Sequence, residues 1–235
     1  LRLIVVFGIK VTVAVLILPL LYILELFRPV RITHWATERM GHLSGDIHLF
    51  RARQFLATEQ EKCHRIFISG QPCNQALLDI WKRYLPIIQS RGLSALWHHS
   101  KNILSKTRFN RDELQSTADI HFEYAAFTDF PIFTNEEETR GRHLLEKMGI
   151  GPEDWFITFH VRDNAYVKSR FPGFDDTMHK GARAPRNGDI TDFLMAANEI
   201  VERGGFAVRV GSHVEEPLTG LESNRIIDYS THYRS

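Results

Sequence analysis

Residues 156–166, FITFHVRDNAY, run from four apolar side chains straight into an imidazole, a guanidinium and a carboxylate: His160, Arg162 and Asp163. The apolar run reads as a buried strand, so these groups stand at its carboxyl end. Two more strand-like runs end the same way. FAVRVG (206–211) carries Arg209 and Gly211, and RIIDY (225–229) carries Asp228 and Tyr229. In an open parallel sheet, ligands bind outside the carboxyl ends of the strands. Two guanidiniums converging there suit a phosphate, because each offers a planar fork of donors to anionic oxygens. Gly211 lets a ligand come close to the backbone. The plainer alternative is a structural ion pair of Arg162 with Asp163 or Asp228.

A second constellation is ERMGHLSGD, residues 38–46. A Gly-His at a strand-to-helix turn places donors where an anion or sugar hydroxyls are held. It is neither a Walker loop nor a full G-x-G-x-x-G. His42 has an intrinsic pKa suited to a general base, with Asp46 and Asp163 as rivals. The alternative makes Gly41 a turn residue and His42 a solvated one. The twelve histidines show no metal-ligand spacing, so no metal or other cofactor is expected.

The elements that position these residues alternate. A strand is expected over 30–35, a helix over 43–60, a strand over 65–70 and a helix over 75–88, the pattern of a parallel α/β layer. Residues 95–130 lack clean periodicity and suggest a long connection. A helix starts at Thr134 or Asn135, is favoured by Glu136, Glu137 and Glu138, and stops at Gly149. GIGPED (149–154) marks a boundary, after which come a strand over 155–161, an irregular polar segment over 163–188, a helix over 189–205 and strands over 206–211 and 225–229. The expected organisation is a hydrophobic segment (1–27), a first lobe (28–150) and a second, incomplete lobe (151–235).

The 235 residues balance 29 basic against 28 acidic side chains, which gives no footprint for nucleic acid. Cys63 and Cys73 make neither a disulfide framework nor a metal motif. From Leu3 to Leu24 the only charge is Lys10, and Arg28 and Arg31 follow. That run predicts a membrane anchor, spanning or interfacial, with the basic flank on the cytoplasmic side; the plainer alternative is a buried amphipathic helix of the fold. The chain opens on Leu1 and stops after a strand, so it is read as a piece of a longer protein.

Taken in order, FRPVRITHWATERMGHLSGDIHLF, FITFHVRDNAYVKSRFPG, RGGFAVRVGSHVEEPL and RIIDYST resemble a family of bacterial glycosyltransferases associated with surface-polysaccharide loci. The likeness runs from about residue 27 onward, and the HVR strand is more distantly similar to fucosyltransferase-like enzymes of the two-lobed GT-B type. The resemblance implies two Rossmann-like lobes and a nucleotide-sugar donor, with a glycan or lipid-linked acceptor at the cytoplasmic face of the inner membrane. Carried over, Arg162 contacts the donor diphosphate with His160 and Arg209 beside it, and Arg39, Gly41 and His42 face the cleft from the acceptor side. GT-B enzymes commonly use cationic side chains instead of a metal. The adjacent rather than spaced carboxylates of FDD (174–176) agree with that. The rival class is a non-catalytic, membrane-tethered binding protein that keeps the fold.

Overall fold

The computed structural model describes residues 8, 11–57, 63–110, 119, 122–127, 132–170 and 187–233. FDD (174–176), most of the irregular segment over 163–188, and the start of the hydrophobic run lie outside these residues. The chain divides into two compact units, Leu1–Phe133 and Thr134–Ser235. Each is a mixed α/β unit built on a small parallel sheet.

In the first unit a π-helical turn, Val13–Ile17, runs into α1 (Leu18–Glu25). Then come β1 (Val30–Trp35), a second π-helical turn (His42–Asp46), α2 (Ile47–Leu56) and β2 (His64–Ser69). They are followed by α3 (Gln75–Lys82), β3 (Ile87–Gln89), α4 (Arg91–Leu104) and α5 (Glu123–Ala126). The strands pair in parallel in the order β1-β2-β3, in register from Val30 opposite His64 to Trp35 opposite Ser69. Successive side chains of a strand point to opposite faces. Val30, Ile32 and Ile68 therefore pack with Val13, Leu21, Trp97, Leu104 and Phe109. Trp35 and Phe67 turn the other way, onto Leu43, Ile47, Phe50, Leu78 and Trp81. The sheet is covered on both faces, as parallel sheets require.

Two expectations change here. The helix expected over 75–88 stops at Lys82, because Pro86 cannot extend it, and Ile87–Gln89 pair with β2 instead. The stretch expected as a long connection contains α4, whose N-cap Ser90 accepts from Leu93 N at 3.2 Å. No helix among the described residues is long and apolar enough to cross a membrane. The described part of the first helix lays one face on the first unit through Val13, Ile17, Leu18 and Leu21.

The second unit contains α6 (Asn135–Lys147), β4 (Phe156–Phe159), α7 (Ala165–Arg170), and a 3-10 turn (Ile190–Phe193) leading into α8 (Leu194–Glu202). β5 (Phe206–Arg209), β6 (Ile226–Asp228) and the single-turn α9 (Tyr229–His232) complete it. Its order is β4-β5-β6, all parallel. The start of α6 is as expected: Thr134 Oγ1 accepts from Glu137 N at 3.2 Å while the Glu137 carboxylate accepts from Thr134 N at 2.8 Å. Gly149, at φ +78°, ends it. Leu144, Leu145 and Met148 pack with Phe206, Val208 and Ile227, so α6 belongs to the second unit. The boundary therefore falls before Thr134, and GIGPED is a connection inside the unit; a turn-rich run marks any connection, not only one between domains.

β4 departs most from its expected burial. Phe156 and Ile157 are 41% and 44% exposed, and only Phe159 joins a described core cluster. Among the described residues β4 is an edge strand that pairs with β5 alone. An apolar run shows that a segment prefers burial, while its place in the sheet decides whether it obtains it.

Candidate functional site

In the first unit the ERMGH segment leaves β1 and enters a helix, as expected. Arg39 O accepts from Leu43 N at 2.9 Å, and Gly41 is already helical, while the Arg39, Met40 and Gly41 side-chain positions are exposed. His42 and Asp46 stand four residues apart, on one face of the turn. His42 Nδ1 lies 2.7 Å from Asp46 Oδ2, with the two side chains 33% and 3% exposed. A carboxylate accepts, so Nδ1 carries the proton and the neutral ring keeps its lone pair on Nε2. The turn is fastened from two sides: Trp35 Nε1 donates to His42 O at 2.9 Å, and the Tyr124 hydroxyl donates to Gly45 O at 2.7 Å. Asp46 is thus the partner that orients His42 rather than an independent base. π-helical turns recur at functional positions.

Burial pushes the Asp46 carboxyl above its ordinary 3.8, against the pull of the His42 hydrogen bond. The folded chain therefore holds this proton more tightly than the unfolded chain. Its contribution to stability is complete below 3.8 and is lost as pH rises through the raised value. Accordingly, the stability of the wild type relative to Asp46→Asn should fall as pH rises through the carboxylate range. Urea unfolding midpoints of the two proteins, compared across that range, check it; a constant or rising difference would contradict the assignment.

Sequence reasoning missed a polar group at the carboxyl ends of β1 and β2. Thr37 Oγ1 and Ser69 Oγ, both buried, are 2.8 Å apart, and His34 Nε2 lies 2.8 Å from Ser94 Oγ. A Cβ on Gly70 would stand 3.0 Å from Ser94 Oγ and 3.2 Å from Glu38 Oε1, so glycine there lets the helix and the loop close on the strand end. The available signal was Ser69-Gly70 ending RIFISG. His34, Glu38 and Ser94 come from three separate segments, which no local pattern joins.

In the second unit the strand ends hold the expected residues but divide their tasks. Arg209 and Asp228 are register partners on neighbouring strands, 3% and 2% exposed. Arg209 Nη1 donates to Asp228 Oδ2 at 3.3 Å and to Glu216 O at 2.7 Å, and Asp228 Oδ2 also accepts from Leu218 N at 2.9 Å. Asp163 accepts from Ala165 N at 3.0 Å through Oδ1 and from Glu215 N at 2.9 Å through Oδ2. Three residues expected at a ligand are therefore clamps on the 215–218 loop. Tyr229 packs against the core and opens α9. The two arginines do not act as an equivalent pair, because Arg209 is spent in a buried ion pair.

Arg162 differs. It is half-buried, and its guanidinium has no hydrogen-bond or ion-pair partner among the described residues, neither Asp163 nor Asp228. Its carbonyl accepts from Gly188 N at 3.1 Å, which holds its backbone. His160 is exposed, and its Nδ1 lies 3.0 Å from Val210 O. A carbonyl only accepts, so this ring also keeps its lone pair on Nε2. A Cβ on Gly211 would stand 3.1 Å from Ser230 Oγ and 3.6 Å from His160 Nδ1, which brings β4, β5 and β6 close at their ends. Among the described residues, Ser230 Oγ and Asp228 Oδ1 are buried there without a partner. Comparison of the chain with protein-family models, with curated proteins and with solved structures finds no match in any of the three.

Proposed function

We propose that this chain is a glycosyltransferase that moves a sugar from a nucleotide-sugar donor to a glycan or lipid-linked acceptor at the cytoplasmic face of the inner membrane. In this reading each unit is a Rossmann-like lobe of the GT-B type. The supporting observation is the His42–Asp46 pair, a 2.7 Å contact that leaves an imidazole lone pair free in a strand-to-helix turn. The acceptor oxygen bonds to the anomeric carbon as the bond to the diphosphate breaks, and His42 Nε2 takes the hydroxyl proton. The diphosphate departs with the bonding electrons, and Arg162 meets the charge that develops on it. His160 and Gly211 line the same strand ends. Arg39 and Gly41 flank the base. Arg209, Asp163 and Asp228 act indirectly, by holding the 215–218 loop. No metal or other cofactor is assigned a role.

Arg162→Ala should weaken binding of a nucleoside diphosphate by about 1.5–3 kcal/mol, the scale of a hydrogen bond to a charged group. Calorimetry with uridine and guanosine diphosphates on the full-length protein measures it, and an unchanged affinity would take Arg162 out of the site. A turnover screen across nucleotide-sugars tests the reaction itself. Binding without turnover of any donor would leave the non-catalytic binding protein as the better reading.

A further inference from the structure

The first helix presents two apolar faces, and among the described residues the first unit covers only one. Val13, Ile17, Leu18 and Leu21 pack inward. Spacings of four residues drift round a helix of about 3.6 residues per turn, and the wider π-helical turn over Val13–Ile17 brings Val13 back onto the inner face. The outer face is Leu16, Leu20, Ile23 and Leu24, the i, i+4, i+7, i+8 pattern of one stripe, and Phe27 follows in the turn after the helix. Between Val11 and Phe27, nine large apolar or aromatic side chains are 43% or more exposed, with Leu26 at 82% and Phe27 at 85%. A continuous apolar stripe of this kind marks an interaction surface.

The charge around it identifies the partner. Over the chain, basic and acidic residues nearly cancel, at 29 to 28. In residues 11–31 and 96–110, the parts that share the cluster, they do not: Arg28, Arg31, Lys101, Lys106 and Arg108 stand against Glu25 alone. These two segments share one core cluster, through Val13 and Leu21 on one side and Trp97, Leu104 and Phe109 on the other. Glu25 lies between Arg31 Nη1 at 2.9 Å and Arg108 Nε at 2.8 Å, so the local balance stays positive. The Arg108 guanidinium sits 5.3 Å from the centre of the half-exposed Tyr22 ring, which itself meets Phe109 edge-on at 4.7 Å. Basic side chains and an aromatic ring bordering an apolar stripe are the features of an element that lies in a membrane interface.

We infer that this face seats the first unit on an anionic lipid surface, with the helix in the interfacial plane and the exposed Arg28, Lys101, Lys106 and Arg108 side chains on phosphate headgroups. This sharpens the membrane placement proposed above and is independent of the catalytic reading, since its test reads binding and needs no turnover. The full chain is sedimented with phosphatidylcholine vesicles with and without added phosphatidylglycerol. It should pellet with the anionic vesicles and be released by salt. Leu16→Glu/Leu20→Glu, which alters only exposed positions, should lower that binding by about ten-fold or more while the circular dichroism spectrum stays that of the wild type. Lys101→Gln should lower it about five-fold on anionic vesicles and leave it unchanged on neutral ones. Wild-type levels of pelleting by the double variant would overturn the inference. So would retention of the wild type through carbonate and salt washing, the mark of a spanning segment, or a wild type that dimerises in sedimentation without binding vesicles.

Discussion

Arg209→Met should destabilise the second unit by about 3–5 kcal/mol, because it leaves the Asp228 carboxylate buried with no cation. The pair is 3% and 2% exposed, and Arg209 also holds Glu216 O, so the 215–218 loop loses a fastening in the same step. Urea unfolding of the full chain, followed by circular dichroism, measures the loss. The double variant Arg209→Met/Asp228→Leu should recover most of it, since replacing both partners of a buried ion pair by apolar groups is often neutral or better. A single variant as stable as the wild type would show that the pair carries no structural role and would return Arg209 to the list of phosphate ligands. The folded double variant provides a second readout: its nucleoside diphosphate affinity should match the wild type if Arg162 alone is the cation.

His42→Ala should reduce turnover by about 100-fold or more and leave donor affinity near wild type, the scale of losing a general base. Because it also leaves the buried Asp46 without its imidazole, the thermal midpoint has to be measured beside the rate. His42→Gln separates the two effects: its amide can still donate to Asp46, so the fold is kept while the base is gone. Asp46→Asn should act in the same direction, because an amide can donate to Nδ1 and so drive the ring proton onto Nε2. Near-normal turnover in His42→Gln would reduce the dyad to a local brace of the π-helical turn.

Much of the scaffold was legible in the residue order. The alternation of apolar runs with periods of 2 and 3.6 indicated a parallel α/β protein, and the Thr134–Glu137 box located the start of α6. These are local signals: a cap or an amphipathic stripe is set by residues within one or two turns. The strand-end position of Arg162, Arg209 and Asp228 was also readable, because a strand that runs into ionisable groups must carry them to its end. The sequence could pair His42 with Asp46 only as rivals, although their spacing of four is the spacing that joins them on one helical face.

What only the tertiary structure decided was which polar groups satisfy one another. Arg209 meets Asp228 because the register of β5 and β6 sets them side by side, nineteen residues apart in the chain. Asp163 reaches Glu215 N across fifty-two residues, and His34 reaches Ser94 across sixty. No local pattern encodes such contacts, because hydrogen bonds form between whatever groups the packing of the sheet and helices brings within about 3 Å. The same holds for burial. FITF and the first helix are both strongly apolar, yet β4 stays open at a sheet edge and the helix buries one face of two. Hydrophobicity records what a segment gains by leaving water, and the geometry of its neighbours determines how much of that gain the fold delivers.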